Sequence, residues 1–117
     1  MESRLARFAG RAVRFSATLP DSLPIRAHLV SQLCRAVTSV GANYAEASGA
    51  ASRRDFIGRL RIADKEAREA RFWLAVCLEF DLADAAELET LVSESEEIIS
   101  ILSASIRTAT RTPHDRP

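Results

Sequence analysis

Asn43 and Glu46 stand three residues apart in "SVGANYAEASGA", where an otherwise apolar run is about to end. With Gln32, Ala36 and Ser39 they fall at i, i+4, i+7, i+11 and i+14. A helix would therefore line them up as a narrow strip of small and polar groups. A second pair, Glu66 and Glu69, is also spaced by three and lies in line with Trp73 in "KEAREARFWL". If the two strips face one another, Asn43, Glu46, Glu66 and Glu69 converge near the Trp73 indole. Three carboxylates brought together need protons, cations or donors, and Arg35, Lys65, Arg68 and Tyr44 are the candidates to supply them. Such a grouping admits three roles. Its members are boundary residues satisfied by hydrogen bonds or water, a polar subunit contact that fixes register, or a ligand or catalytic site marked by raised carboxylate pKa values.

Other chemistries lack their residues. A di-metal carboxylate bundle needs Glu-x-x-His on two helices, and here Glu66-x-x-Glu69 has Glu in the place of His. His28 and His114 lie elsewhere. The chain has no Gly-x-Ser-x-Gly elbow, no phosphate-cradling glycine loop and no Cys/His pair at ligand spacing. Cys34 and Cys77 each sit inside an apolar helical segment and read as small buried hydrophobes in a reducing compartment. The expectation is a protein with no metal, no cofactor and no enzymatic activity.

The elements that must position the polar strips are helices. The chain has 117 residues, 47% of them apolar, which suits one small domain with a real core. Its four Pro and Gly49 sit at the ends of periodic segments, which favours long helices over a sheet. The first helix spans about 3–17, with Leu5, Phe8, Ala12 and Phe15 as its apolar stripe. Arg4, Arg7, Arg11 and Arg14 repeat at the same spacing, about 100° around. "TLPDSLP" ends it. The second helix spans about 23–47, capped by Asp21 or Ser22, with Pro24 in its first turn. Ile25, Leu29, Leu33, Ala36, Val40 and Ala47 form its core face, and Gly49 stops it. Ser52 opens a capping box with Asp55.

The third helix, about 53–80, carries Phe56, Leu60, Ala63, Ala67, Ala70, Leu74 and Cys77 in an unbroken 4-3-4-3-4-3 seam. A second seam, Ile62, Glu66, Glu69, Trp73, Val76 and Phe80, runs beside it, so two neighbours contact this helix. The fourth helix, about 85–107, opens with Asp84 and Glu87 as another capping box. It buries Leu88, Leu91, Val92, Ser95, Ile98, Ile99, Leu102 and Ile106, and a polar tail over 111–117 is expected to be disordered. Short connections between long helices predict an all-α, up-down-up-down antiparallel four-helix bundle.

Net charge is zero but unevenly spread. Residues 1–78 hold thirteen basic and seven acidic side chains, whereas residues 79–106 hold eight acidic and none basic. The basic front and the acidic last helix attract one another within or between subunits. Neutrality counts against a dedicated nucleic-acid binder, yet a local patch suffices for binding. The candidate patch is Arg4, Arg7, Arg11 and Arg14 with Arg53 and Arg54. No run approaches the ~20 apolar residues of a membrane span, and the Arg-rich start has no signal-peptide core. The expectation is therefore a cytoplasmic protein without membrane partners.

"VGANYAEA" followed by "DFIGRLRIADKEAREARFWL" resembles the four-helix-bundle family of 23S ribosomal RNA intervening-sequence proteins. That pattern places Asn and Glu three apart near the end of helix two, Phe after the turn, an Ile-Ala pair, Lys-Glu, a second Glu and an aromatic-Trp-Leu triplet. Asn43, Glu46, Phe56, Ile62, Ala63, Lys65, Glu66, Glu69, Phe72, Trp73 and Leu74 match it position by position. The likeness extends over roughly residues 5–110. Many members have Gly directly after the helix-two Glu, where this chain has Ala47, so the helix is expected to run slightly longer here. The resemblance implies a cytoplasmic bundle that assembles as a ring-like homopentamer, and it implies little biochemistry. Accessory proteins of diversity-generating retroelements are similar bundles that bind nucleic acid and a reverse transcriptase through a basic surface. The leading expectation is a non-enzymatic homo-oligomeric interaction protein. Asn43, Glu46, Lys65, Glu66, Glu69 and Trp73 form its polar cluster or subunit contact. The alternative is a nucleic-acid-binding accessory protein.

Overall fold

The computed structural model describes residues 1–111. Four helices account for nearly all of them: α1 Glu2–Ala17, α2 Arg26–Ser48, α3 Arg53–Leu78 and α4 Ala85–Arg111. Each helix packs on the next, and α1 closes the ring against α4, while α1/α3 and α2/α4 lie on the diagonals. This is the up-down-up-down bundle that short connections dictate, and no strand is present among the described residues.

The periodic apolar positions become the core. Leu5, Phe8, Ala12 and Phe15 of α1 are buried, as are Leu29, Leu33, Ala36, Val37, Val40 and Ala47 of α2. On α3 the whole 4-3-4-3-4-3 seam is buried from Leu60 to Cys77, with Phe56 half-buried at its start. Ala63, Ala67 and Ala70 have no exposed surface, so α3 presents a smooth ridge that neighbouring helices approach closely. On α4, Leu88, Leu91, Ser95, Ile98, Ile99 and Leu102 face inward. Buried Ser95 is satisfied by its own helix, its hydroxyl donating to the Val92 carbonyl at 2.6 Å.

The helix ends depart from expectation in four places. First, α2 starts at Arg26, and neither Asp21 nor Ser22 caps it. Leu19 and Leu23 bury themselves under the bundle end, and the Leu23 and Arg26 amides close turns onto Pro20 and Leu23. This folds residues 18–25 into a compact link with Pro24 outside the helix. Ile25 becomes the N-cap with φ of 55°, a strained conformation for a β-branched residue. Its side chain is 55% exposed and contributes nothing to the core. Second, α3 stops at Leu78 rather than Phe80, with Glu79 as its C-cap.

Third, α4 runs to Arg111, four residues beyond the expected end at 107, because Thr110 returns a hydrogen bond to the Ile106 carbonyl and Ala109 is buried. The remainder of the expected tail, 112–117, lies outside the described residues. Fourth, the Glu87 carboxylate serves Arg11 of α1 instead of completing a capping box. The Ser52 cap forms as expected, its hydroxyl accepting the Asp55 amide at 3.1 Å, and Gly49 caps α2 with an ordinary φ of −102°.

Candidate functional site

The short link 49–52 folds α3 back along α2, and this hairpin fixes which side chains meet. Residues that face each other across the seam have numbers summing to about 102, as in His28–Trp73, Arg35–Glu66 and Asn43–Arg59. Asn43 is therefore about 10 Å along the bundle from Glu66, and Glu46 about 20 Å from Glu69, seven and thirteen residues at ~1.5 Å each. The four do not converge. They form two separate polar groups on one seam.

The first group centres on Arg35. Its guanidinium donates to Glu66 Oε2 at 2.8 Å and also to Glu69 Oε2. Glu69 accepts a further bond from the Trp73 indole N–H at 3.3 Å. Trp73 stands edge-to-face against His28 on one side and Phe72 on the other, with centroids 5.3 and 5.2 Å apart. Glu66 is only 7% exposed, and Arg35 is its ion-pair partner. Burial works against the Glu69 charge, but the indole N–H and the guanidinium prevail and hold its carboxyl below the ordinary Glu value. Lys65 is exposed and adds a weaker field in the same direction. Of the donors named from sequence, Arg35 does the work. Arg68 turns to Asp64 at 3.2 Å, and Tyr44 makes no hydrogen bond to a carboxylate among the described residues.

The second group is Asn43, Glu46 and Arg59. Asn43 donates to the Ser39 carbonyl and hydroxyl at 2.9 and 3.0 Å and accepts from Arg59 at 3.3 Å. Arg59 also reaches Glu46 at 3.3 Å. Arg59 escaped the sequence reading, although the hairpin register pointed to it directly opposite Asn43.

The arginine stripe of α1 is divided. Arg4 makes a two-pronged contact with Glu94 at 2.7 and 2.8 Å, and Arg11 does the same with Glu87 at 3.2 and 2.8 Å. Each guanidinium, against a smaller opposing effect of burial, lowers its partner carboxyl below the ordinary value. Arg7 and Arg14 remain exposed. The acidic fourth helix thus answers the basic first helix within one chain. Arg53 donates to the Ala109 carbonyl at 2.7 Å, tying the start of α3 to the end of α4, while Arg54 is exposed.

Cys77 is fully buried and its thiol pKa is raised by that burial, whereas half-buried Cys34 lies 3.5 Å from the Ser16 hydroxyl. No cluster of three or more His, Cys, Asp or Glu side chains is arranged to hold a metal among the described residues. None of the described helices is long and apolar enough to cross a membrane.

The geometry can hold two helices in one register and can present an aromatic edge to a partner. It offers no proton poised for transfer at Glu69, whose carboxyl is shifted down rather than up. The relatives are consistent with so sparse a site. No curated protein matches the chain. A crystal structure from Bacteroides thetaiotaomicron, described as a protein with unknown function from the S23 ribosomal protein family, is similar with a TM-score of 0.80 and 33% identity. The match covers 92% of this chain and 98% of that one. The model of the 23S rRNA-intervening sequence proteins matches residues 3–104. A match that spans residues 3–104, on a chain folded as four antiparallel helices, settles the assignment: the chain belongs to the 23S rRNA-intervening sequence proteins.

Proposed function

We propose that this protein is a non-enzymatic, self-associating interaction module, with the α2–α3 face as its subunit contact. The observation that carries this reading is Phe72. It is 58% exposed, beside a half-buried Trp73 that is braced by His28. Exposed aromatic anchors of this kind dominate interface energetics, and an isolated soluble domain gains nothing from displaying one. Ile62, 42% exposed, lies ten residues back along the same helix. The Arg35–Glu66–Glu69 group lies on the Ile62 side of α3 and supplies polar contacts that select one alignment. A ring-like homopentamer is the assembly that the family resemblance implies. Free Cys34 and Cys77 suit the reducing cytoplasm.

The experiment is sedimentation velocity at micromolar concentration on the wild type and on Phe72→Glu. The wild type should sediment as a closed oligomer and the variant as a monomer with unchanged helicity. A monomeric wild type refutes the proposal. The alternative, a nucleic-acid-binding accessory role through Arg4, Arg7, Arg11, Arg14, Arg53 and Arg54, has weaker support on α1, where Arg4 and Arg11 are already neutralised by carboxylates.

A further inference from the structure

The outward side of α3 carries a third repeat of 4-3-4-3 spacing, Arg54, Gly58, Arg61, Lys65 and Arg68, which joins Arg54 of the candidate patch to Lys65 and Arg68. Residues at this spacing share one helix face. The face borders the α3–α4 seam, where two shallow hollows of about 530 and 450 Å³ lie end to end and share Arg61. Arg54 and Gly58 line the first, and Lys65, Arg68 and Arg107 line the second. Arg111 is exposed one turn beyond Arg107 on α4. The only carboxylate among the lining residues is Asp64, which is bound to Arg68. Arg54, Arg61, Lys65, Arg107 and Arg111 are all exposed, and none has an ion-pair partner within hydrogen-bonding reach among the described residues. The eight acidic side chains of residues 79–106 do not compensate them. The last of these, Glu97, lies ten residues before Arg107, and the leading members face α1.

Gly58 is an independent observation. A glycine inside a helix is a far poorer helix former than alanine and is tolerated where another group must come close. Within this chain nothing comes close, because a Cβ built at Gly58 meets no atom within 4 Å. The glycine flattens the floor of the groove at the point where the cations flank it.

From these features we infer that the α3–α4 groove is a docking track for the phosphate backbone of a nucleic-acid duplex. From Arg54 to Arg68 the track is about 21 Å long at ~1.5 Å per residue, the length of about six base pairs at ~3.4 Å each. Four of its five free cations are arginines, whose planar forks match phosphate oxygens. Among the described residues no aromatic ring lines either hollow, so the hollows offer unpaired bases no stacking platform, and recognition goes to the backbone without base reading. The track lies within a single chain, and exposed Phe72 follows Arg68 by one turn on the same helix face.

The test is fluorescence anisotropy with a labelled mixed-sequence duplex of about 12 base pairs, twice the footprint, made as DNA and as RNA, beside the corresponding single strands. Five neutralised phosphates predict a log–log salt slope near −4.5, so affinity should fall about 500-fold between about 50 and 200 mM salt. The DNA and RNA arms identify which duplex is the better ligand. Gly58→Glu is the decisive variant. It puts a carboxylate into open space at the groove centre and replaces a poor helix former with a good one, so the fold should melt higher while duplex affinity drops at least tenfold. Arg7→Ala/Arg14→Ala should bind as the wild type does. The inference is overturned by no duplex binding at the lower salt, by wild-type affinity in Gly58→Glu, by tighter binding of single strands, or by displacement as effective with poly-glutamate as with unlabelled duplex.

Discussion

Replacing Arg35 with Met tests whether the α2–α3 polar group holds the register of the bundle. The substitution keeps the aliphatic stem and deletes the guanidinium that serves Glu66 and Glu69 together. Glu69 retains the Trp73 indole, but Glu66, 7% exposed, loses its one hydrogen-bond donor among the described residues and is left as a buried carboxylate. A hydrogen bond to a charged group is worth about 1.5–3 kcal/mol. The Arg35 side chain is 49% exposed, so water takes part of its place, and the expected loss lies near the low end, about 1.5–2 kcal/mol. At ~2.1 cal/mol/K of unfolding entropy per residue, 117 residues give about 0.25 kcal/mol/K, so Tm should fall by about 6–8 °C. The assay is thermal unfolding by circular dichroism at fixed protein concentration and neutral pH. The second arm is Arg35→Met with Glu66→Met. Removing both partners of a buried pair is far less costly than removing one, so the double variant should regain at least half of the lost Tm. An unchanged Tm in the single variant, or a double variant no more stable than the single, would refute the assignment of Glu66 as a carboxylate held by Arg35.

Other outcomes follow from the same coordinates. Gly58→Ala should raise Tm by about 4 °C, since helix propensity improves by about 1 kcal/mol with no atom in the way; a lower Tm would show that the position is packed in the free protein. Glu69, Glu87 and Glu94 are held below the ordinary value of 4.5 when folded, so they add stability that is present above that value and lost as pH falls through their lowered values. Tm should thus hold steady near neutrality and decline below about pH 4.5, and a flat or rising Tm there would contradict the ion pairs. Cys34 should react with a thiol reagent in the native protein while buried Cys77 waits for unfolding; equal rates would show that the α3 seam is open.

The amino-acid sequence by itself determined the number of helices and most of the core. An apolar repeat of 3 and 4 leaves a helix only one way to bury its stripe. Leu5, Phe8, Leu33, Ala63 and Leu74 therefore lie inside as the pattern required. Helix ends were harder to read. Pro24 is compatible with a first turn, but Leu19 and Leu23 gained more by burial in the link, and α2 began two residues after it. Asn43, Glu66 and Glu69 lie on the α2–α3 seam, yet which of them meet was not a property of either helix. A period of 3.6 residues says which face a side chain occupies and nothing about its level along a partner. The hairpin closed at 49–52 set that level. It gave Glu66 and Glu69 to Arg35, and Asn43 and Glu46 to Arg59. Charge behaved in the same way. The arginines of α1 and those of α3 look alike in the sequence. Only the tertiary structure placed Arg4 and Arg11 against glutamates of α4 and left Arg54, Arg61, Lys65 and Arg107 along the α3–α4 groove without a carboxylate partner among the described residues, because an ion pair depends on which helices become neighbours.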